Sequence, residues 1–347
     1  MPAVRDFRAI PLVDIADMVA GKPETYADIA AELGRAAHEV GFVYVTGHGI
    51  PDRLFAGLLA ATEAFFRQPF DVKMESYIGK TTNHRGYVPE GEEVFAAGTK
   101  DKKEAFDLSL DLAADDPDYL AGNPLLGPNQ WPDLPGFKDA VSAYYAAAFS
   151  VARVLMRGFA LAVGEAEDFF EPYLTKPPSQ LRLVLYPYDP DATDAMGIGA
   201  HTDYECFTLL HATQPGLEVL NGAGQWIDAP PVQGAFIVNI GDMLEILTNG
   251  RFVATSHRVR KVKTERYSFP LFFTLDYHTK VSPLGRFVTL DNPARDGLVA
   301  GEHLFAQTVQ SFTYQKKRLA RGDITLPEKS VGLSSFGQEA RLTPPGG

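Results

Sequence analysis

The first part of the chain alternates between helix-like and strand-like patterns of apolar residues. Apolar side chains recur at helical spacing from Tyr26 until Gly41, which predicts a helix that stops there. A second helical pattern covers residues 52–67. Residues 8–14 and 42–45 are rich in branched and aromatic side chains, so we expect each to form a strand. This part of the chain therefore predicts helices mixed with short strands.

The second half of the chain has a different pattern. Residues 76–135 are rich in Gly, Pro and Asp and predict mostly loop, and a long helix is predicted from 136 to 163. Short runs of Val, Ile, Phe and Thr then alternate with turns, and a helix returns at 301–320. The predicted strands are 181–186, 206–211, 217–220, 225–227, 235–240, 255–262 and 266–275. Many short strands at close spacing predict a mainly β fold with surrounding helices and a double-stranded β-helix (jelly-roll) core.

Composition narrows the class of protein. The chain has 347 residues, of which 45% are hydrophobic and 22% charged, as in an ordinary globular domain. A net charge of −12 gives no basic patch, so we expect no nucleic-acid partner. Cys206 is the only cysteine, which excludes an intrachain disulfide. With no signal-peptide pattern and no long uninterrupted apolar run, we expect a cytoplasmic protein that needs neither a membrane nor an obligate protein partner.

Three residues form a candidate metal site. His201 and Asp203 are two positions apart, so on a strand both side chains would point to the same side. His257 begins a later predicted strand and can complete the set. Two imidazoles and one carboxylate are the ligands of a non-haem ferrous site that leaves three positions open. A lone His-x-Asp pair is common by chance, and the ordered set with the later histidine is not.

A second constellation predicts a carboxylate-bearing co-substrate. Arg266 and Ser268 are again two positions apart and would share one face of the last predicted strand. The guanidinium offers a bidentate fork to a carboxylate, and the serine hydroxyl adds a further hydrogen bond. Tyr186, at the end of an earlier strand, can supply a phenol to the same group.

The remaining polar, aromatic and histidine residues are candidates for the core, the surface or the substrate pocket. We expect the backbone to bend at Glu205 so that this residue faces outward; if the strand continues, Glu205 is instead a polar group beside the metal ligands. Cys206 is expected to be a small core residue. Tyr204 and Phe273 are candidates for the substrate pocket, together with Phe207 and Phe272, although strand alternation implies that about half of these aromatics face the packed exterior. The remaining histidines are expected to be structural or solvated: His38, His48, His84, His211, His278 and His303.

In combination, several motifs resemble the iron(II)- and 2-oxoglutarate-dependent oxygenases, in the branch similar to isopenicillin N synthase. The resemblance covers most of the chain. Its motifs are Ile10-Pro11-Leu12-Val13-Asp14, Gly41-Phe42-Val43-Tyr44-Val45, Gly47-His48-Gly49-Ile50, Arg85-Gly86-Tyr87, residues 181–187, 197–204, Asn239-Ile240-Gly241-Asp242 and Ser256-His257-Arg258-Val259. It implies one oxygenase domain over residues 1–347, with an N-terminal dioxygenase region at 1–120, a jelly-roll core at 178–282 that carries the iron site, and a C-terminal helix at 300–321.

Carried over residue by residue, the resemblance implies that His201, Asp203 and His257 bind Fe(II). It implies that Arg266 and Ser268, helped by Tyr186, bind the distal carboxylate of 2-oxoglutarate. It also implies O₂ as the second co-substrate. Asn239-Ile240-Gly241-Asp242 resembles a turn of the family that is structural rather than catalytic.

The substrate side shows one departure and two open assignments. Val184 stands where many plant members have an asparagine that helps to seat the co-substrate. The role of Arg182 is therefore open between 2-oxoglutarate, the substrate and structure. The segment Gly91-Glu92-Glu93-Val94 resembles the bacterial ethylene-forming enzyme, in which the second glutamate contacts an amino-acid substrate. Glu93 is a candidate for that contact, and a solvated surface position is the alternative.

The implied function is hydroxylation, desaturation or ring closure of an amino-acid-derived small molecule or secondary metabolite, with release of succinate and CO₂. An oxidase like isopenicillin N synthase, which uses Fe(II) and O₂ without 2-oxoglutarate, is an alternative because it shares the Arg-x-Ser pair. An ethylene-forming activity is another. A non-catalytic metal- or ligand-binding protein and a zinc hydrolase are more remote.

Overall fold

Two β-sheets face each other at the centre of the protein. The computed structural model describes residues 5–94, 103–188, 196–260 and 264–327. Within these residues, the major sheet has eight strands in the order β1-β2-β10-β7-β12-β5-β4-β3, and the minor sheet has four in the order β6-β11-β8-β9. The strands of the major sheet are β1 Leu12–Asp14, β2 Phe42–Thr46, β3 Gly86–Val88, β4 Glu104–Leu108, β5 Gln180–Tyr186, β7 Phe207–Ala212, β10 Phe236–Ile240 and β12 Arg266–Phe273. Those of the minor sheet are β6 Met196–His201, β8 Leu217–Leu220, β9 Trp226–Asp228 and β11 His257–Arg260. A small pair, β13 Lys280–Val281 and β14 Leu298–Val299, lies apart.

The sheets are almost entirely antiparallel, with β1 and β2 as the parallel pair. Side chains therefore alternate between two environments along each central strand. On β12, Tyr267, Phe269, Leu271 and Phe273 enter the large apolar core, while the intervening residues face a cavity between the sheets. This is the mainly β jelly-roll fold with surrounding helices that the strand pattern predicts.

Helices surround the two sheets. They are α1 Ala16–Val19, α2 Tyr26–Glu39, α3 Asp52–Phe66, α4 Phe70–Lys73, α5 Pro117–Leu120, α6 Phe137–Ala162, α7 Asp242–Leu247, α8 Ala300–Ser311 and α9 Thr313–Arg321. The long α6 packs against β12, α2 and α3, and its Phe149 contacts Phe273 with ring centroids 5.4 Å apart. Among the described residues, α6 alone is long and apolar enough to cross a membrane, and half of its most apolar stretch is buried inside the protein. The core helix of a folded domain meets the same criteria.

The structure differs from the predicted elements at two places that matter for the site. The strand expected to carry His201 was predicted without bounds, because the sequence of β6, Met-Gly-Ile-Gly-Ala-His, has few strongly strand-forming residues, and it ends at His201 instead of including Asp203. The helix predicted over 300–321 is wrong as a single element, since α8 ends at Ser311 and α9 begins at Thr313. Phe312 between them has an extended backbone and pairs with Glu93.

Candidate metal centre and cavity

Two strands of the minor sheet bring the predicted histidines together. His201 ends β6 and His257 begins β11, and these two residues are direct antiparallel partners. Asp203 lies in the loop after β6, so it does not share a strand face with His201 as the spacing predicted. The turn of that loop nevertheless brings its carboxylate to both imidazoles. One ligand atom from each of the three residues lies within 4.8 Å of the others.

Backbone carbonyls orient both imidazoles. His201 Nδ1 lies 2.8 Å from the Gly199 carbonyl oxygen, and His257 Nδ1 lies 3.2 Å from that of Thr255. A carbonyl accepts but cannot donate, so each Nδ1 carries the proton and each Nε2 is left as the metal-binding lone pair. The two Nε2 atoms lie 3.7 and 3.5 Å from Asp203 Oδ1.

The other oxygen of Asp203 is held by two donors that the sequence interpretation missed. Asn239 Nδ2 donates a 2.7 Å hydrogen bond to Oδ2, and the Thr208 hydroxyl donates to the same atom. Oδ1 is left facing the histidines. Asn239 was expected to belong to a purely structural turn. Its role could have been inferred from the sheet order, because Asn239 on β10 is the register partner of Thr208 on β7, the strand that follows Asp203.

The protonation pattern fits a cation site. Burial alone would raise the pKa of Asp203, but His257, then His201 and Thr208, hold it well below its usual range. Burial and the neighbouring His257 lower the pKa of His201 to about 4. Burial lowers the pKa of His257, yet its contact with Asp203 raises it overall. The Asp203 carboxylate thus stabilises positive charge on His257, and a divalent cation bound between the two residues can take the place of that proton.

The major sheet supplies the candidate co-substrate site. Arg266 on β12 is the register partner of Tyr186 on β5, and Ser268 is the partner of Val184. Arg266 is only 1% exposed and donates from Nε to the Gln214 carbonyl oxygen at 3.0 Å, while its buried Nη1 has no hydrogen-bond partner in the part of the chain that the structure describes. A buried unpaired guanidinium nitrogen is costly, and the carboxylate of a bound oxoacid would satisfy it. The residues present therefore fit 2-oxoglutarate.

A buried group of charges lines another wall of the same cavity. Arg182 donates from Nε and Nη2 to Asp107 at 2.7 and 2.8 Å, and from Nη1 to Glu93 at 3.0 Å. Lys103 Nζ lies 3.0 Å from Glu93. Burial raises the pKa of Glu93, but Arg182 and Lys103 outweigh it and lower the pKa to about 2. Glu93 is thus an ionised carboxylate inside the cavity, and the solvated alternative is wrong because the residue is 7% exposed.

The remaining candidates divide between the two faces of the sheet. Tyr204 lines the cavity and meets the edge of His303 with ring centroids 5.9 Å apart. Phe273 does not line it. Phe273 is fully buried against Phe207 in the apolar core on the opposite face of the sheet. Because side chains alternate along β12, its neighbour Phe272 is the residue that lines the cavity.

Two polar residues line the cavity against expectation. Glu205, expected to face outward, lines it next to the metal centre, and burial with the nearby Asp203 raises its pKa to about 8. His84 lines the cavity as well and contacts the Tyr314 hydroxyl through Nδ1 at 2.6 Å. Cys206 is fully buried in the apolar core, as expected.

Family models match two parts of the chain. The model described as the N-terminal region of non-haem dioxygenases in morphine synthesis matches residues 10–134. The model of the 2OG-Fe(II) oxygenase superfamily matches residues 177–275, which include the three candidate metal ligands, Arg266 and Ser268.

Individual proteins are similar over most of their length. A homoarginine-6-hydroxylase of Glycine max is 35% identical over 327 residues, which cover 88% of this chain and 98% of the relative. A 2OG-Fe(II) oxygenase family protein of Caulobacter crescentus has a similar structure, with a TM-score of 0.76, 29% identity, and coverage of 91% of this chain and 100% of the other. A full-length Neurospora crassa protein in complex with alpha-KG and thymine aligns with a TM-score of 0.71, 25% identity, and coverage of 90% and 97%.

These similarities decide between the enzyme classes that the motifs left open. A relative of Emericella nidulans, 34% identical over 277 residues that cover 77% of this chain and 79% of the relative, is named a 2-oxoglutarate-Fe(II) type oxidoreductase. The Neurospora crassa protein was solved with alpha-KG, so an oxidase that works without 2-oxoglutarate is not supported. The donor set of the metal centre and the unpaired nitrogen of Arg266 fit the same cofactors. The chain belongs to the iron(II)- and 2-oxoglutarate-dependent oxygenase superfamily and is a non-haem dioxygenase that acts on a small molecule.

Proposed function

We propose that this enzyme hydroxylates an amino acid with a cationic side chain, of the homoarginine type, and that the residues described above divide the work. His201, Asp203 and His257 would hold Fe(II). Arg266, Ser268 and Tyr186 would hold the distal carboxylate of 2-oxoglutarate. Arg182 and Glu93, with Tyr204 beside the metal centre, would receive the substrate.

Bound iron with 2-oxoglutarate and O₂ supplies the oxidation, in which the oxoacid becomes succinate and CO₂. The chain's own residues orient the reactants. Asn239 and Thr208 keep one oxygen of Asp203 occupied, so its other oxygen remains directed at the metal position. Arg266 fixes one end of 2-oxoglutarate in a buried place from which water is largely excluded. Val184 provides no polar group for the other end, and the metal ion would then hold that end.

The observation that carries the substrate assignment is the ionised Glu93 carboxylate inside the cavity. Glu93 already accepts from Arg182 and Lys103, and Arg182 in turn holds Asp107. A neutral ligand would bury these ion pairs further without adding a partner, which costs free energy. A zwitterionic ligand with a cationic side chain can place its carboxylate near Arg182 and its side-chain cation near Glu93, so both new contacts join opposite charges.

The comparisons support the same class of substrate without identifying it. The Glycine max relative is named for homoarginine and the Neurospora crassa protein binds thymine, a neutral ring. The buried charges of this cavity favour the first kind of ligand. Arg182 is therefore assigned to the substrate, with its contact to Asp107 holding it in place.

The test is a substrate panel. The enzyme with Fe(II), ascorbate and 2-oxoglutarate is supplied separately with L-homoarginine, L-arginine, L-lysine, L-leucine and thymine, and succinate is measured. We expect the basic amino acids to stimulate succinate formation and to gain one oxygen atom by mass spectrometry. Stimulation by thymine or leucine but not by any basic amino acid would contradict the proposal. A product lighter by two hydrogens would assign desaturation or ring closure instead, and ethylene in the headspace would assign the ethylene-forming reaction.

We also infer that the enzyme works in the cytoplasm without an obligate protein, nucleic-acid or membrane partner. The acidic net charge of −12 and the single cysteine support this inference. Fractionation of cells that express a tagged chain tests it, and recovery in the membrane pellet would contradict it.

A further inference from the structure

The chain between helices α8 and α9 pairs with the segment that carries Glu93. Phe312 separates α8 from α9 with φ −95° and ψ 129°, which is extended backbone. It forms an antiparallel bridge with Glu93. Val94 N donates to the Ser311 carbonyl oxygen and Thr313 N donates to that of Glu92, each at 2.9 Å. The chain leaves the helical path here because it pairs with a strand-like segment far away in sequence.

Side chains reinforce this pairing on both sides. The Glu92 carboxylate accepts the backbone N–H of Tyr314 at 2.7 Å and the Tyr77 hydroxyl at 2.9 Å. The Tyr314 hydroxyl in turn lies 2.6 Å from His84 Nδ1. The position of Phe312 is therefore fixed by contacts to at least two separate segments of the N-terminal region.

The fixed ring of Phe312 covers the substrate-binding charges. The Arg182 guanidinium carbon lies 5.5 Å from the centroid of the Phe312 ring. The ring also meets His84 edge-on, with centroids 4.6 Å apart. Phe312 is 2% exposed and lines the cavity. One face of the guanidinium is thus covered by an aromatic ring, and its edge is left to the carboxylates.

We propose that Phe312 is a specificity-determining residue, which covers Arg182 and thereby strengthens the recognition of a charged substrate. This inference rests on the proposed function, in which Arg182 and Glu93 receive the substrate. The ring attracts the guanidinium through its π face. It also keeps water from the ion pairs, and charges interact more strongly where water is excluded. Recognition by Arg182 would then depend on a residue of the C-terminal helices that makes no ionic contact itself.

Two variants of Phe312 and one matched control test this role. Phe312→Leu keeps an apolar side chain and removes the ring, whereas Phe312→Tyr keeps the ring. Phe305→Leu makes the same change in α8 at a buried position of the large apolar core that does not line the cavity. Melting temperatures and 2-oxoglutarate affinities of all three show whether each protein is folded with its co-substrate site intact.

The first measurement is calorimetric titration of L-homoarginine into protein loaded with Mn(II) and 2-oxoglutarate without oxygen. We expect the dissociation constant to rise about tenfold in Phe312→Leu. It should stay near the wild-type value in Phe312→Tyr and Phe305→Leu, with 2-oxoglutarate affinity unchanged throughout. A wild-type dissociation constant for Phe312→Leu would overturn the proposal. So would a parallel loss of 2-oxoglutarate affinity, or an equal loss of homoarginine affinity in Phe305→Leu, because the effect would then be one of general structure.

The second measurement needs no substrate. Phenylglyoxal modifies accessible arginines, and peptide mass spectrometry reports its reaction with Arg182. We expect Arg182 to react several times faster in Phe312→Leu than in the wild type or in Phe305→Leu, and equal rates would overturn the proposal. If wild-type protein binds none of the basic amino acids, the proposed function fails, and the phenylglyoxal rates alone still decide whether Phe312 covers Arg182.

Discussion

The Asn239 side-chain amide donates a 2.7 Å hydrogen bond to Asp203 Oδ2, the oxygen that faces away from the two histidines. Thr208 donates to the same oxygen. Asp203 Oδ1, at 3.5 Å from His257 Nε2, is consequently the oxygen left for a metal ion. A residue at the end of a buried strand thus orients a ligand that lies in a loop, and a ligand in a loop needs such support to be held in place.

Removal of this support should weaken iron binding. In Asn239→Ala the Oδ2 atom keeps only the Thr208 donor, so the carboxylate can rotate away from the histidines. We expect the affinity for Fe(II) to fall about 10- to 100-fold, and further in the double variant with Thr208→Val. Competition with a calibrated chelator measures this affinity. Asn221→Ala, which removes a buried amide at the β8–β9 turn, is the control for a general loss of stability. Unchanged iron affinity in Asn239→Ala would show that Asp203 does not depend on it.

The co-substrate site can be tested separately at Arg266. Arg266→Gln removes the guanidinium whose Nη1 has no partner among the described residues. Because a charge-assisted hydrogen bond contributes about 1.5–3 kcal/mol, we expect the KM for 2-oxoglutarate to rise roughly 10- to 100-fold. Ser268→Ala should have a smaller effect in the same direction. The control is Arg258→Gln on β11, whose guanidinium is paired with Glu218 and stacked on Trp226. Equal KM values for Arg266→Gln and the control would refute the assignment.

Glu93 should affect the substrate and not the co-substrate. Glu93→Gln keeps the shape of the side chain and removes the charge that Arg182 and Lys103 share. We expect the KM for a basic amino acid to rise at least about tenfold, since a charged hydrogen bond is replaced by a neutral one. The slow consumption of 2-oxoglutarate without substrate should be unchanged. Glu218→Gln, another buried carboxylate in an ion pair, serves as the control. A loss of 2-oxoglutarate consumption in Glu93→Gln would place the residue in the co-substrate site instead.

His84 makes the stability of the protein sensitive to mild acid. Burial, only partly offset by Asp107, lowers the pKa of His84 in the folded protein to about 4 from its ordinary 6.5. Between these values the unfolded chain binds the proton and the folded protein does not, so stability rises with pH through this window and is lost on acidification. From pH 7 to pH 5 this residue should cost about 2 kcal/mol of unfolding free energy.

Urea unfolding at the two pH values measures that loss. His84 has a positive φ of 60°, so Asn is the suitable replacement because it tolerates this conformation. His84→Asn should lose less stability than the wild type between pH 7 and pH 5, by about 2 kcal/mol. Other histidines, such as His211 with its similarly lowered pKa, contribute to both proteins and cancel in the comparison. Equal losses in the two proteins would contradict the buried neutral state of His84.

Much of the fold was predictable because strand alternation leaves a direct trace in the sequence. The residues of β5 and β12 alternate between the apolar core and the cavity, and this places Arg266 and Ser268 on one face as their spacing predicts. The spacing of His201 and Asp203 correctly predicted that both face the metal position. The predicted shared strand face is wrong, because β6 ends at His201 and Asp203 lies in the following loop. Phe273 was misplaced although the same alternation, counted from Arg266 and Ser268, assigns Phe272 to the cavity and Phe273 to the core, where it packs against α6.

The parts that could not be predicted depend on contacts between distant segments. Nothing local breaks the helix at Phe312, where neither glycine nor proline is present; the pairing with Glu93 does so. The place of Glu93 among buried charges likewise requires Arg182 from β5 and Asp107 from β4, which meet only as neighbours in the major sheet. The positions of Phe312 and Glu93 therefore follow from the tertiary structure and not from the local sequence.

If this cavity couples 2-oxoglutarate to the hydroxylation of a basic amino acid, O₂ supplies one oxygen atom to each of the two products. The most direct measurement is turnover under ¹⁸O₂ with L-homoarginine, followed by mass spectrometry of both products. We expect one labelled oxygen in succinate, one in the hydroxylated amino acid, equal amounts of the two, and neither product from His201→Ala. Succinate formed without any labelled amino acid, in amounts that L-homoarginine does not change, would contradict it.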